Sequence, residues 1–216
     1  MSDKIKIDII SDVVCPWCVV GYKNLQKAIE QLDIADKVEL QWQPFELNPN
    51  MPTEGQNLRE HVAEKYGSSR EESDQSRVHI RATGEKVGFT FNFFDEMKIV
   101  NTRDAHILLQ YAWQLDKQTP LTLRLFSAFF SEKKDISDRQ ILLNEATKVG
   151  IEREQATACL QDAHYCDELI QQQAYWQKSG ISAVPAVVFN RSSVLSGAQP
   201  IAAYREVLMA LLDKNK

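Results

Sequence analysis

The sequence predicts an α/β fold in which a compact sheet-and-helix unit is interrupted by a large all-helical insertion. Three observations carry this reading. Alternating strand patterns flank a helical period near the N-terminus, residues from about 57 to about 179 carry helical patterns without a convincing strand, and strand character returns at Ala186. The resulting order is strand, helix, strand, helical block, strand, strand, helix, which suggests one α/β layer with an inserted helical domain. The expected boundaries are 1–55 and 180–216, with the flanking part of a 165–179 helix, for the α/β unit, and 56–179 for the insertion.

Each element has a local cause. Lys4, Ile5, Lys6, Ile7, Asp8 and Ile9 alternate with β-branched residues, a strand signal. Ser11 and Asp12 end it, and Cys15-Pro16-Trp17-Cys18 follow. Pro16 suits the first turn of a helix, where its missing N–H is no loss. Val19, Tyr22, Leu25, Ala28, Ile29 and Leu32 then recur at helical spacing. Residues 38–43 alternate again, Pro44 closes them, and Leu47 to Gly55 is a loop of turn residues. In the insertion, Thr102 looks like the cap of a helix running to Trp113, and Pro120, Ser137 and Gly150 punctuate others. Residues 68–79 read as a solvated helical face or a mobile stretch. A helix from Asp167 ends at Gly180. Ala186–Phe189 and Val194–Ser196 then form a hairpin around Asn190 to Ser193, and a final amphipathic helix runs from about Gln199 to Leu212.

Composition narrows the function classes. The 216 residues are 44% hydrophobic and 25% charged, with a formal net charge of −5. That balance offers no basic footprint for nucleic acid or an anionic membrane. The first ten residues alternate Lys and Asp with Ile instead of forming a signal-peptide core, and no window approaches the ~20 apolar residues of a membrane span. A cytoplasmic location is expected.

Four cysteines, Cys15, Cys18, Cys159 and Cys166, are too few for a disulfide-stapled scaffold. A Cys-x-x-Cys pair at the start of a helix, just after a strand, is the thioredoxin-like redox arrangement. A thiolate is the nucleophile in disulfide exchange, and a helix start offers it unpaired N–H groups and the positive end of the dipole. Cys15 sits at that end and is expected to be the more exposed thiol, while Cys18 lies one turn inward and can resolve a mixed disulfide. Pro16 and Trp17 between them are expected in an exposed turn. Zinc would need two further ligands, and Cys159, His164 and Cys166 are poorly spaced for it, so no metal is expected. On one continuous helix Cys159 and Cys166 would lie about 10.5 Å apart along the axis, too far to bridge. A break near Asp162 would bring them closer. They read as ordinary helix cysteines.

Val184-Pro185, just before the returning strand, is the second signal. In the thioredoxin fold a cis-proline loop sits opposite the cysteine pair, and a cis peptide is almost confined to X-Pro bonds. Such a loop presents an extended edge to a substrate chain. An ordinary trans proline opening a strand is the alternative.

Together these residues resemble a known family. Ser11-Asp12-Val13-Val14-Cys15-Pro16-Trp17-Cys18, Pro44-Phe45-Glu46-Leu47-Asn48-Pro49, Asn101-Thr102 with Ala105-His106, Val184-Pro185 and Ser196-Gly197-Ala198-Gln199-Pro200 are similar to the FrnE-like group of DsbA-type oxidoreductases. The resemblance implies a thioredoxin fold with an inserted helical domain, and dithiol oxidation, reduction or isomerisation. It implies Cys15 as nucleophile, Cys18 as resolving thiol and Pro185 as the cis-proline, with Pro16, Trp17 and Val184 at the substrate. It turns Asn101 and His106 toward the groove, although Ala105, Leu108, Leu109 and Trp113 around His106 also fit a packed histidine. It places Asp8 beneath the disulfide as a proton acceptor for Cys18; the alternative is a charge on the exposed face of an edge strand. Trp17 stands where DsbA carries a histidine, implying a potential between ~−270 mV and ~−120 mV. Trp17 also offers an apolar surface to a polypeptide.

The resemblance implies no cofactor beyond a redox-active Cys15–Cys18 disulfide, with glutathione a possible co-substrate through a mixed disulfide at Cys15. The partners implied are polypeptide or small thiol and disulfide substrates, and a reductant or oxidant that recycles the site. Kappa-class glutathione transferases and hydroxychromene carboxylate isomerases share this architecture. They would place a serine at position 15 and tend to carry Gly-Ser-Asp where this chain has Gly197-Ala198-Gln199. A redox-sensitive chaperone module is the non-enzymatic alternative.

Overall fold

Strand β1 (Ile5–Ser11) is buried at every position but Lys6, so its alternation is covered from both sides. It is an interior strand of a four-stranded sheet in this computed structural model, which describes residues 4–214. The ends of the two expected α/β segments, residues 1–3 and 215–216, lie outside the described residues. Strand β2 (Val38–Pro44) runs parallel to β1, with Ile7 opposite Leu40 and Ser11 opposite Pro44. Strand β5 (Ala186–Phe189) is antiparallel to β1, with Ile10 opposite Ala186, and pairs in turn with β6 (Ser193–Ser196). Asn190 and Arg191 between them take positive φ of 48° and 52°, the sense that matches strand twist in tight hairpins.

The parallel β1–β2 pair needs a crossover, and helix α1 (Pro16–Leu32) supplies it. Pro16 occupies the first turn and Asp33, with φ 52°, ends the helix in the left-handed conformation. Helix α9 (Ile201–Lys214) packs beside α1. Ile5, Ile7 and Ile9 of β1 join the main core with α1 and α9. Ile10 points the other way and packs with Trp176, Ile181, Ala186 and Val188.

Between β2 and β5 the chain is chiefly helical. Helices α2 (Leu58–Tyr66) and α3 (Arg70–Lys86) come first, α3 closed by a capping box between Ser69 and Glu72. Helices α4 (Arg103–Gln114), α5 (Gln118–Phe126), α6 (Arg139–Lys148), α7 (Arg153–Gln161) and α8 (Ala163–Lys178) follow, and α5 passes into a π turn over Ser127–Ser131. Trp176 brings α8 onto the sheet face away from α1. Trp42 of β2 joins Tyr22 of α1 to Phe126 of α5, so the buried core continues from sheet into helices.

Several local expectations change. Strand pairing does occur in the helical stretch: β3 (Gln56–Asn57) and β4 (Lys98–Ile99) form an antiparallel pair. Two residues per strand are too few to leave a periodicity. Residues 68–79 lie mostly within α3, exposed except where Ser73 and Arg77 turn inward. Thr102 stands at the start of α4 without a side-chain cap; Asn101 Oδ1 accepts the Arg103 N–H at 3.0 Å instead. The break at Asp162 is real, since that residue ends α7 and its side chain caps α8 by accepting the His164 N–H. Cys159 and Cys166 remain free thiols. Cys159 is buried 3.9 Å from the Ile107 carbonyl, and burial, then Asp162, pushes its pKa up to about 12.

Candidate active site

The turn from β1 to α1 makes the site. The Cys15 N–H bonds the Asp12 carbonyl at 3.0 Å, and the Cys18 N–H bonds the Cys15 carbonyl at 3.1 Å. Cys15 is the residue that caps α1, in extended conformation, and the helix start receives no side-chain cap and no acidic residue in its first turn. The positive end of the helix dipole at Cys15 therefore meets no acidic side chain in the first turn.

Both thiols are buried, Cys15 at 4% exposure and Cys18 at 0%, so Cys15 is far less open than a helix-start cysteine suggests. The reason lies in distant segments. Val184 approaches Cys15 with its carbonyl oxygen 3.8 Å from Sγ, and Trp17 is half-buried against His79 of α3, their ring centroids 5.6 Å apart. Pro16 is half-buried as well. The expected exposed turn is thus roofed by the helical stretch, and Trp17 presents only part of its surface.

The Val184–Pro185 peptide is cis. The Pro185 carbonyl accepts the Gly197 N–H at 2.8 Å, tying this loop to the end of β6. Gly21 allows α1 to come close: a Cβ there would stand 3.3 Å from Pro185 Cγ.

Cys18 has its pKa pushed well above the ordinary thiol range, first by burial and then by the Cys15 thiol, while Ser11 and the backbone at Asp12 pull the other way. A buried thiol loses hydration chiefly in its charged form.

Asp8 is not beneath this pair. The register sets it opposite Val188, on the sheet face of Ile10 and Trp176, whereas Cys18 belongs to the core on the other face. Side chains along a strand alternate, so no rotamer of Asp8 changes that face. Nor is it an exposed charge on an edge strand: it is 5% exposed on an interior strand, and its Oδ1 accepts from Gln43 Nε2 at 2.6 Å. Burial raises its pKa, against the Gln43 hydrogen bond, Arg191 and Lys6.

The acid close to the site is Asp12, at 0% exposure. Its Oδ2 accepts the Leu47 N–H at 2.7 Å and its Oδ1 lies 3.4 Å from His106 Nε2. His106 is accordingly packed behind the turn and not in the groove. Asn101 holds the start of α4 and reaches the Met51 carbonyl at 3.3 Å, away from the cysteines. Asp12 lay within the resembling motif, but nothing in its neighbours marked it as buried. Tyr204 of α9, also missed, is fully buried, and burial pushes its pKa up to about 12.

Beside Cys15, under α2 and α3, lies a cavity of about 430 Å³. Cys15, Trp17 and Val184 form one side of it, and Leu58, Ile80 and Phe130 contribute to its apolar lining.

Comparison with known proteins places this geometry. The model of the DSBA-like thioredoxin domain matches residues 6–209. The uncharacterized protein YwbO of Bacillus subtilis is 29% identical over 197 residues, 90% of each chain. The crystal structure of a probable DsbA oxidoreductase from Streptomyces coelicolor superposes with a TM-score of 0.90 at 28% identity, covering 95% of this chain and 89% of that one. The cytosolic disulfide reductase DsbM from Pseudomonas aeruginosa, solved with GSH, shares the fold at a TM-score of 0.67 and 16% identity, over 96% and 99% of the two chains.

Proposed function

This chain belongs to the DSBA-like thioredoxin domain family, and from that premise we propose that it is a thiol–disulfide oxidoreductase working through Cys15 and Cys18. The observation that carries the reading is the position of Cys15: at the uncapped start of α1, one turn from Cys18, with Val184 facing its sulfur. In this reading the Cys15 thiolate attacks a substrate disulfide and releases the first thiolate. Cys18, once deprotonated, attacks the Cys15 sulfur, expels the second thiolate and leaves a Cys15–Cys18 disulfide. Two electrons pass to the substrate. The reverse sequence oxidises a dithiol, and the direction depends on the redox poise around the protein.

Pro16, Trp17 and Val184 are the substrate contacts of this proposal, Pro185 sets the Val184 backbone against Cys15, and residues 56–179 form the inserted unit that roofs the site. Membership of the FrnE-like subgroup rests on the motifs quoted above. Among the described residues no helix is long and apolar enough to cross a membrane. A cytoplasmic setting, as for DsbM, would favour reduction or isomerisation with a small thiol such as glutathione as recycling reductant. Two cysteines where the glutathione transferases would carry a serine argue against a transferase.

The test is a redox titration against glutathione of a chain with Cys159→Ser and Cys166→Ser. A reversible two-electron transition between ~−270 and ~−120 mV, absent in Cys15→Ser, is the expected result. Failure to form a disulfide at any poise, with both thiols shown to be accessible, would overturn the proposal.

A further inference from the structure

Two buried hydroxyls beside Cys18 have no acceptor for their protons. Ser11 is the last residue of β1 and follows Ile5, Ile7 and Ile9 on the face that shares a core with α1. Its hydroxyl faces the Cys18 sulfur, as does the backbone at Asp12. Tyr204 arrives from α9, which packs beside α1. A Cβ at Gly21 would stand 3.5 Å from the Tyr204 hydroxyl oxygen. Gly21 lies three residues after Cys18, so the two share one face of α1. A charge on Cys18 accordingly bears on Tyr204.

Ser11 Oγ and Tyr204 Oη are both buried with no partner at hydrogen-bonding distance. The Gln199 backbone amide turns toward Tyr204 as a donor and takes nothing from the hydroxyl proton. A buried polar group left unpaired is costly, and most are paired. The acids nearby are engaged elsewhere. Asp12 accepts the Leu47 N–H and faces His106, and Asp8 is on the opposite sheet face. A thiol sulfur is a weak acceptor, whereas hydrogen bonds to a charged acceptor are the strong ones. The two hydroxyls therefore gain most when Cys18 is a thiolate.

Resting on the exchange reading above, we propose that Ser11 and Tyr204 are paired donors that hold the Cys18 thiolate as it attacks, or leaves, the Cys15 sulfur. In the resolving step Cys18 gives up its proton and its sulfur bonds Cys15. The bond from Cys15 to the substrate breaks, its electron pair goes to the substrate sulfur, and that sulfur takes up the proton. Both hydroxyls keep their own protons. In the reverse direction a substrate thiolate attacks Cys15, and Cys18 departs as a thiolate toward the same two donors before solvent protonates it. Donors fixed where charge develops need no reorganisation at the moment of reaction.

The experiment uses the pre-reduced full-length chain with Cys159→Ser and Cys166→Ser, mixed with dithiodipyridine in single turnover. The first pyridine thiol released reports attack by Cys15, and the second reports resolution by Cys18. Ser11→Ala and Tyr204→Phe should each leave the first phase unchanged and slow the second about threefold at pH 7. Loss of one charge-assisted hydrogen bond lowers the thiolate population about tenfold, and the stronger nucleophilicity of a more basic sulfur returns about half of that on a logarithmic scale. The double variant should slow the second phase about tenfold. Ser11→Thr keeps the hydroxyl and should restore the Ser11 share. Each deletion removes an unpaired buried group, so the melting temperature should equal or exceed that of the wild type. A packing role predicts a lower melting temperature instead. Should Ser11→Ala fail to fold, Tyr204→Phe decides the matter by itself. An unchanged second phase in either folded variant, or slowing matched by a fall in melting temperature, would overturn the inference while leaving the exchange reading standing. Absence of a second phase in the wild type, with the mixed disulfide persisting on Cys15, would instead overturn the exchange reading.

Discussion

Asp12 and His106 meet behind the active-site turn, with Asp12 Oδ1 3.4 Å from His106 Nε2 and both side chains almost wholly out of solvent. Through its other oxygen Asp12 takes the Leu47 N–H. One carboxylate thus ties the turn after β1, the loop after β2 and helix α4 together. The close approach of Cys15 to Val184 depends on a turn held in that way. Replacing Asp12 by Ala leaves the Leu47 N–H without its acceptor and should cost about 2 kcal/mol of stability. Asp12→Asn and His106→Gln, measured singly and together by urea unfolding, should show a coupling of about 1 kcal/mol. Strict additivity would mean that the two side chains are neighbours without interaction.

The protonation of Cys18 bears on the pH dependence of exchange. Its native pKa lies well above the ordinary thiol value of 9.0, through burial and then the Cys15 thiol. In a single turnover, expulsion of the second thiolate should therefore accelerate continuously from pH 7 to pH 9, without a plateau. Cys18→Ser should remove this phase and leave the mixed disulfide on Cys15, detectable by intact mass. A plateau below pH 8 would show that Cys18 ionises more readily than its burial implies.

Asp8 titrates in the opposite sense from a salt-bridged acid. Burial raises its native pKa above the unfolded value near 3.8. Its contribution to stability is therefore full below pH 3.8 and is lost as pH rises through the native pKa. Asn at this position keeps an oxygen for Gln43 and cannot ionise. Asp8→Asn should stabilise the protein at pH 7 by about 1 kcal/mol, with no gain at pH 3, as followed by thermal unfolding. Its exchange rate should match the wild type, because the side chain faces away from Cys18.

Gly84 sets how closely α3 approaches the phenylalanine cluster. A Cβ there would stand 2.4 Å from Phe91 Cδ2 and 2.6 Å from the Phe89 carbonyl, closer than atoms can pack. The rings of Phe89, Phe91, Phe93 and Phe130 interlock around this point. Gly84→Ala should cost roughly 2 kcal/mol by overpacking. It should also raise the alkylation rate of Cys15, since α3 carries His79 against Trp17. An unchanged melting temperature would show that the helix shifts freely.

What the sequence determined by itself is what local chemistry encodes. Ile5, Ile7 and Ile9 alternate because a strand repeats every two residues, and Pro16 marks the start of a helix because it gives up an N–H that no helix start uses. Cys15 and Cys18 are informative together because their spacing spans one helical turn. Tertiary structure decided what depends on partners far along the chain. Asp8 and Asp12 are both acids near the cysteines, and only strand register and the arrival of Leu47 and His106 separate a carboxylate facing Trp176 from one behind the active-site turn. Trp17 is half-covered because α3 folds back over it across more than fifty residues. Burial and charge pairing are sums over neighbours from the whole chain, so no local pattern in the sequence carries them.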